Sequence, residues 1–144
     1  MNKTISAEDL NIHFKHNDDA ALFKWLLASF LMGKRIQAEI AAEAYRVIAD
    51  KHGRDTPRKL AACSHRELVA MLGEAHYVRY DETTAVRLHA LARKLNDEYA
   101  GKVCHMVEAS ADRQAFEKRL AEFDGIGPKT VEIFMREAGS AISL

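Results

Sequence analysis

Between Ala20 and Met32 the chain reads AALFKWLLASFLM, 13 residues of which only Lys24 and Ser29 are polar. A surface helix keeps one polar face, so a segment this apolar on every side must be enclosed. It is also shorter than the roughly 20 residues needed to cross a hydrocarbon core. It therefore predicts a central core helix, and the rest of the chain must supply elements that cover it. At 144 residues the chain is most economically one domain over 1–144, large enough to close a core without disulfide or metal staples.

The covering elements read as helices. Ser6 followed by Asp9 predicts a capped short helix reaching toward His16. After a break near Gly33, the residues Ile36, Ile40, Ala44, Val47 and Ile48 mark one helical face ending near His52-Gly53. Thr56-Pro57 and Ser64 start two short helices, with Gly73 closing the second. A helix starting near Asp81 carries Ala85, Leu88, Ala92, Leu95 and Tyr99 at three- and four-residue steps, and Gly101 interrupts it. Ser110 is placed to cap a helix with Phe116, Leu120 and Phe123 on one face, and Val131, Phe134 and Ala138 form a last face before Gly139. No long alternating strand pattern occurs, so the expected class is all-α.

The formal net charge is zero, from 21 basic and 21 acidic residues. Attraction to nucleic acid would therefore need a local patch. Residues 21–60 carry eight basic and four acidic side chains, against two and four in 1–20. Cys63 and Cys104 stand 41 positions apart, which suits a reducing compartment and excludes a cluster or zinc site made from cysteine alone. The Met1–Thr4 start has no apolar signal-peptide run, so a cytoplasmic protein is expected.

The functional question sits in FDGIGPKTVEIF, Phe123 to Phe134. Gly125 and Gly127 permit unusual backbone angles and close backbone approach. Pro128 suits the first turn of the next helix, whose unpaired N–H groups favour an anion. Two readings are open, a tight turn between packed helices and a grip on a phosphate.

The longer segment LAEFDGIGPKTVEIFMREAG resembles the hairpin of the helix-hairpin-helix DNA glycosylase superfamily, in particular its endonuclease III-like branch. There a helix enters a glycine-hydrophobic-glycine turn and a lysine-threonine pair opens the next helix. LFKWLLASFLMGKRIQAEIAAEAYRVI is similar to that family's early core helix and its successor, and HYVRYDETTAVRLHALARKL to the region before the hairpin. The resemblance covers about residues 20–139. It implies a helical bundle or barrel with a C-terminal helix-hairpin-helix motif. It also implies phosphate contacts from Gly125, Ile126, Gly127, Lys129 and Thr130, and a monovalent cation held by turn carbonyls with no side-chain metal ligands. Such contacts position DNA without reading sequence.

Lys129 matches the lysine with which the bifunctional members form a Schiff base, which makes it the candidate catalytic residue of this chain. The pattern departs elsewhere. The family's aspartate after the hairpin has no match, since no aspartate follows Asp124. Glu132 and Glu137 fall within the expected helix, and the iron–sulfur ligand segment is missing, so no cofactor and no cluster are expected. At LMGKRI the gap-filling glutamine of related enzymes has no secure counterpart, though Arg35 or Gln37 could reach that region. Lys34 and Arg35 could complete a positive patch with Lys129. Near the family's lesion pocket, Tyr80 could stack on a base and Arg79 meet a phosphate, or the pair could simply pack at a helix start. His13, His16 and His105 lack a ligand set, and Trp25 reads as core.

The expected function is thus that of a helix-hairpin-helix DNA-binding protein related to base-excision repair enzymes, contacting backbone phosphates of duplex, damaged or abasic DNA, with no membrane partner. The alternatives are a glycosylase or abasic-site lyase using Lys129, and a structural or protein-interaction domain that keeps the fold.

Overall fold

The computed structural model describes residues 4–15 and 18–144. Among the described residues every regular element is helical: α1 (Asp19–Met32), α2 (Ala38–Tyr45), α3 (Pro57–Ala61), α4 (His65–Glu74), α5 (Asp81–Tyr99), α6 (Val103–Glu108), α7 (Arg113–Ala121) and α8 (Pro128–Ala138). A 3-10 turn at Glu8–Leu10 precedes them, and α2 runs on into a π-helical turn at Arg46–Lys51.

α1 is the enclosed helix that its sequence demands. Every residue from Ala21 to Leu31 except Lys24 is buried. It packs against α2 and α8, while α5 packs against α3 and α4 and α6 spans from α1 to α5. Two polar groups inside the core tie α1 to its neighbours. The Trp25 indole N–H donates to the Phe134 carbonyl at 3.1 Å, and the Tyr77 hydroxyl donates to the Leu31 carbonyl at 3.0 Å. Trp25 is thereby a core residue with its one donor satisfied.

Side chains start the helices where local chemistry allows. The Asp18 carboxylate accepts from the Ala21 amide at 3.2 Å, and Thr56 from Lys59 at 3.1 Å with Pro57 at the first helical position. Ser64 and Glu67 form a reciprocal capping box, each side chain accepting the other's amide proton. The α5 stripe of Ala85, Leu88, Ala92, Leu95 and Tyr99 is wholly buried, and Ala100 and Gly101 end that helix in left-handed conformations.

Four sequence expectations need correction. Ser6 and Asp9 do bond each other, but only the short Glu8–Leu10 turn forms, because Asn11 turns left-handed at φ 61° and ends it. His16 lies outside the described residues. Ser110 does not cap α7; its buried hydroxyl donates back to the Met106 carbonyl at 2.8 Å, and Asp112 caps α7 through the Ala115 amide. Gly73 lies inside α4, and the chain turns left-handed only at His76. Finally, the face from Ile36 to Ile48 is not one regular helix. Ile36 precedes α2, whose N-cap is Gln37, and from Arg46 the chain continues as the π turn that carries the buried Val47, Ile48 and Ala49.

The segment before α1 is tied to α8. Glu137 accepts the Ala7 amide with both carboxylate oxygens, at 2.9 and 3.0 Å, and Arg136 donates to the Ile5 carbonyl at 3.0 Å. Glu137 thus has a structural task.

Candidate nucleic-acid interface

α7 and α8 are joined by the turn Glu122–Gly127. The Ile126 amide donates to the Phe123 carbonyl at 3.1 Å, and the Ile126 side chain is buried as the turn's anchor. Gly125 has φ 87°, a left-handed conformation that favours glycine, and a Cβ there would meet Arg87 Cδ at 2.8 Å and the Phe30 ring at 3.1 Å. Gly127 is different. Its φ of −106° suits any residue, and a Cβ there would meet nothing within 4 Å. The two glycines therefore have unlike reasons: Gly125 shapes the turn, and Gly127 leaves space beside it.

α8 begins at Pro128 with no side-chain cap on its first turn. The Val131 amide is the first to bond inside the helix, to the Gly127 carbonyl at 3.1 Å. The amides of Gly127, Lys129 and Thr130 have no acceptor among the described residues. Free helix-start donors of this kind favour an anion. Lys129 is exposed and has no ion-pair partner among the described residues. The Thr130 side chain turns inward and is buried, so only its amide is offered outward.

The end of α1 meets this hairpin. Gly33 lies so close to Thr130 that a Cβ on Gly33 would overlap the Thr130 hydroxyl and come within 3.1 Å of its Cβ. Its φ of −77° is ordinary, so glycine is needed here for space. Lys34 follows. Its ammonium donates to the Gly125 carbonyl at 2.5 Å and lies 4.8 Å from the centre of the Phe30 ring. Burial, and then the nearby Arg87 guanidinium, push the Lys34 amine below its ordinary value, with Asp124 opposing them.

Two depressions meet at Lys34. One of about 390 Å³ is lined by Gly33, Lys34 and Gly125 through Thr130. The other, of about 300 Å³, lies between Gly33–Arg35 and the start of α5, where Tyr80, Thr83, Thr84 and Arg87 line it. Lys34, Arg35 and Tyr80 thus come together in one cavity, and Lys34 meets Lys129 in the other. Arg79 lines neither; it is exposed, with its guanidinium 5.2 Å from the Tyr80 ring centre. Tyr80 is half exposed and holds φ 63° at the N-cap of α5, a costly backbone region for a bulky aromatic.

Sequence reasoning missed Gly33, Thr83, Thr84 and Arg87. Tyr80, Thr83, Thr84 and Arg87 recur at three- and four-residue steps, so a polar face at the start of α5 was available as a signal. Arg87 also pairs with Asp124 at 3.6 Å, joining α5 to the hairpin. Neither thiol is poised as a nucleophile: burial pushes Cys63 up, and burial together with the Asp19 carboxylate pushes Cys104 up to about 12. No group of three or more metal-ligating side chains occurs among the described residues, and no described helix is long and apolar enough to cross a membrane.

No family model and no curated protein matches the sequence. Solved structures match in shape. Among them is an endonuclease III described as a trapped covalent intermediate with DNA in an estranged-adenine complex. It has a TM-score of 0.62 and 19% sequence identity, over 93% of this chain and 57% of that one. This chain therefore spans a little over half the length of that endonuclease III. At such low identity the likeness shows the fold alone: an all-α helical domain arranged like part of an endonuclease III.

Proposed function

We propose that this protein binds the sugar–phosphate backbone of DNA through the Gly125–Thr130 hairpin, as a helix-hairpin-helix module of the base-excision repair type. The observation that carries the reading is the group of three unclaimed amides, on Gly127, Lys129 and Thr130, beside the exposed Lys129 ammonium. An anionic oxygen seated there would accept from backbone donors and face a positive charge, and Gly127 leaves room for it. Lys129 acts as a phosphate contact in this reading. Lys34 and Arg35 extend the positive edge, and Tyr80 offers a half-exposed ring beside it. The likeness to an endonuclease III solved with DNA supports the same assignment.

Duplex binding measured by fluorescence anisotropy over a salt series tests it. The expected slope of log K against log salt is about −1 to −3, since one hairpin neutralises few phosphates. Lys129→Ala should shallow that slope by about one while weakening all duplex sequences alike. No binding at low salt, or a slope unchanged by Lys129→Ala, would favour a structural or protein-interaction domain instead.

A further inference from the structure

We infer that the cavity between the end of α1 and the start of α5 is a second anion site, fitted to a phosphate monoester. Two sources share that chemistry: the terminal phosphate of a DNA strand and a free mononucleotide. The strand-end source rests on the DNA-binding reading above, whereas the site itself does not.

Three cationic side chains, Lys34, Arg35 and Arg87, line this cavity of about 300 Å³. One carboxylate answers them, that of Asp124, which pairs with Arg87 at 3.6 Å. Arg35 is exposed and has no ion-pair partner among the described residues. The acids that open α5 are engaged elsewhere: Asp81 accepts the Glu82 amide at 2.8 Å, and the Glu82 carboxylate meets His65 of α4. The cavity therefore holds more positive charge than its surroundings balance. A phosphodiester brings one negative charge, whereas a monoester brings about −1.5 to −2 at neutral pH, so the monoester is the better match. Lys34 registers the imbalance: burial, and then the Arg87 guanidinium, hold its amine below the ordinary value of 10.5. An anion beside the two cations relieves that repulsion.

The start of α5 adds hydrogen-bond donors. No side chain caps this 19-residue helix, and the Thr83 amide has no acceptor among the described residues. The Thr83 side chain is exposed and lines the cavity, so its hydroxyl can donate to an anion as well. Guanidinium, ammonium and helix-start donors thus serve one space, and the half-exposed Tyr80 ring at its edge suits a base carried by the phosphate. The site is separate from the hairpin depression, with which it shares only Gly33 and Lys34.

The test uses the full chain and two kinds of probe. Anisotropy compares nicked duplexes of one sequence whose 5′ end at the nick bears either a phosphate or a hydroxyl. Calorimetry compares thymidine 5′-monophosphate with thymidine. In at least one arm the phosphorylated probe should bind about fivefold tighter or more, and the arm that responds names the source. Arg35→Gln, at an exposed position, should lower that preference at least about twofold. Lys129→Ala should weaken both nicked duplexes alike and keep their ratio. The inference falls if neither arm prefers phosphate, if the preference survives Arg35→Gln in full, or if Lys129→Ala abolishes it, which would put the phosphate on the hairpin. Equal binding of the two nicked duplexes without nucleotide binding leaves the DNA-binding reading standing alone. Phosphate-dependent nucleotide binding without duplex binding leaves the monoester site standing alone. Absence of all binding overturns both.

Discussion

The Lys34 ammonium donates to the Gly125 carbonyl across 91 positions of sequence, fastening the end of the central helix to the turn that opens α8. The same turn is held from a second side, where Arg87 of α5 pairs with Asp124. The hairpin amides are thus presented on a turn fixed from two sides, which suits a site whose donors must point at one anion.

The two glycines of the turn should respond oppositely to alanine. Gly125→Ala forces a side chain into a left-handed backbone against Arg87 and Phe30, and should cost about 1–3 kcal/mol of stability. Gly127→Ala meets open space and ordinary angles, so its stability should stay within about 0.5 kcal/mol of wild type. Its duplex affinity should nevertheless fall, because the methyl group occupies the space beside the free amides. Urea unfolding and anisotropy on the same samples separate the effects. A folded Gly127→Ala with unchanged affinity would remove Gly127 from the interface.

Gly33 and Thr130 should couple. Gly33→Ala drives its methyl into the Thr130 hydroxyl and should destabilise by about 1–3 kcal/mol. Thr130→Ala removes that hydroxyl, so the double variant should be more stable than the sum of the single changes allows. A double-mutant cycle in urea measures this, and strict additivity would show that the contact does not limit packing.

Ser29 is fully buried, and its hydroxyl oxygen has no hydrogen-bond partner among the described residues. Ser29→Ala should therefore be neutral or raise the thermal midpoint, since it removes a desolvated polar group without opening a large void. A loss of several degrees would mean that the hydroxyl has a partner, such as a buried water.

At the start of α4, Ser64→Ala should cost about 1 kcal/mol by deleting a cap. Hydrogen bonds from the Ser64 amide and hydroxyl, more than the Arg54 charge, hold the Glu67 carboxyl below its ordinary value of 4.5. A carboxylate with a depressed folded value stabilises above its ordinary value and loses that contribution as pH falls through the folded one. Wild type should therefore lose more stability than Ser64→Ala on acidification below about pH 4.5. Parallel acid-limb slopes in chemical denaturation would contradict the capping assignment.

What was legible in the sequence follows how local its cause is. The α1 run, the α5 stripe, the Thr56 and Ser64 starts and the hairpin all declare themselves within a few residues. The π turn after α2 has no such mark, because one extra residue per turn changes backbone pairing without changing composition. The sequence pointed to Ser110 as the cap of α7, but Ser110 bonds back to Met106 inside the preceding turn and Asp112 takes the capping position instead. The site itself is non-local. Gly33 matters because of Thr130, and Lys34 because of Gly125, and no spacing rule links such distant positions. Sequence also treated Gly125 and Gly127 alike, whereas only backbone angles and neighbours distinguish them.

DNA contact through the hairpin is tested most directly by backbone amide NMR during titration with a short duplex. The amides of Gly127, Lys129 and Thr130 should show the largest shift changes, and added salt should reverse them together. Shifts that spare these three amides and cluster on another face, or no shifts at low salt, would contradict phosphate binding at this turn.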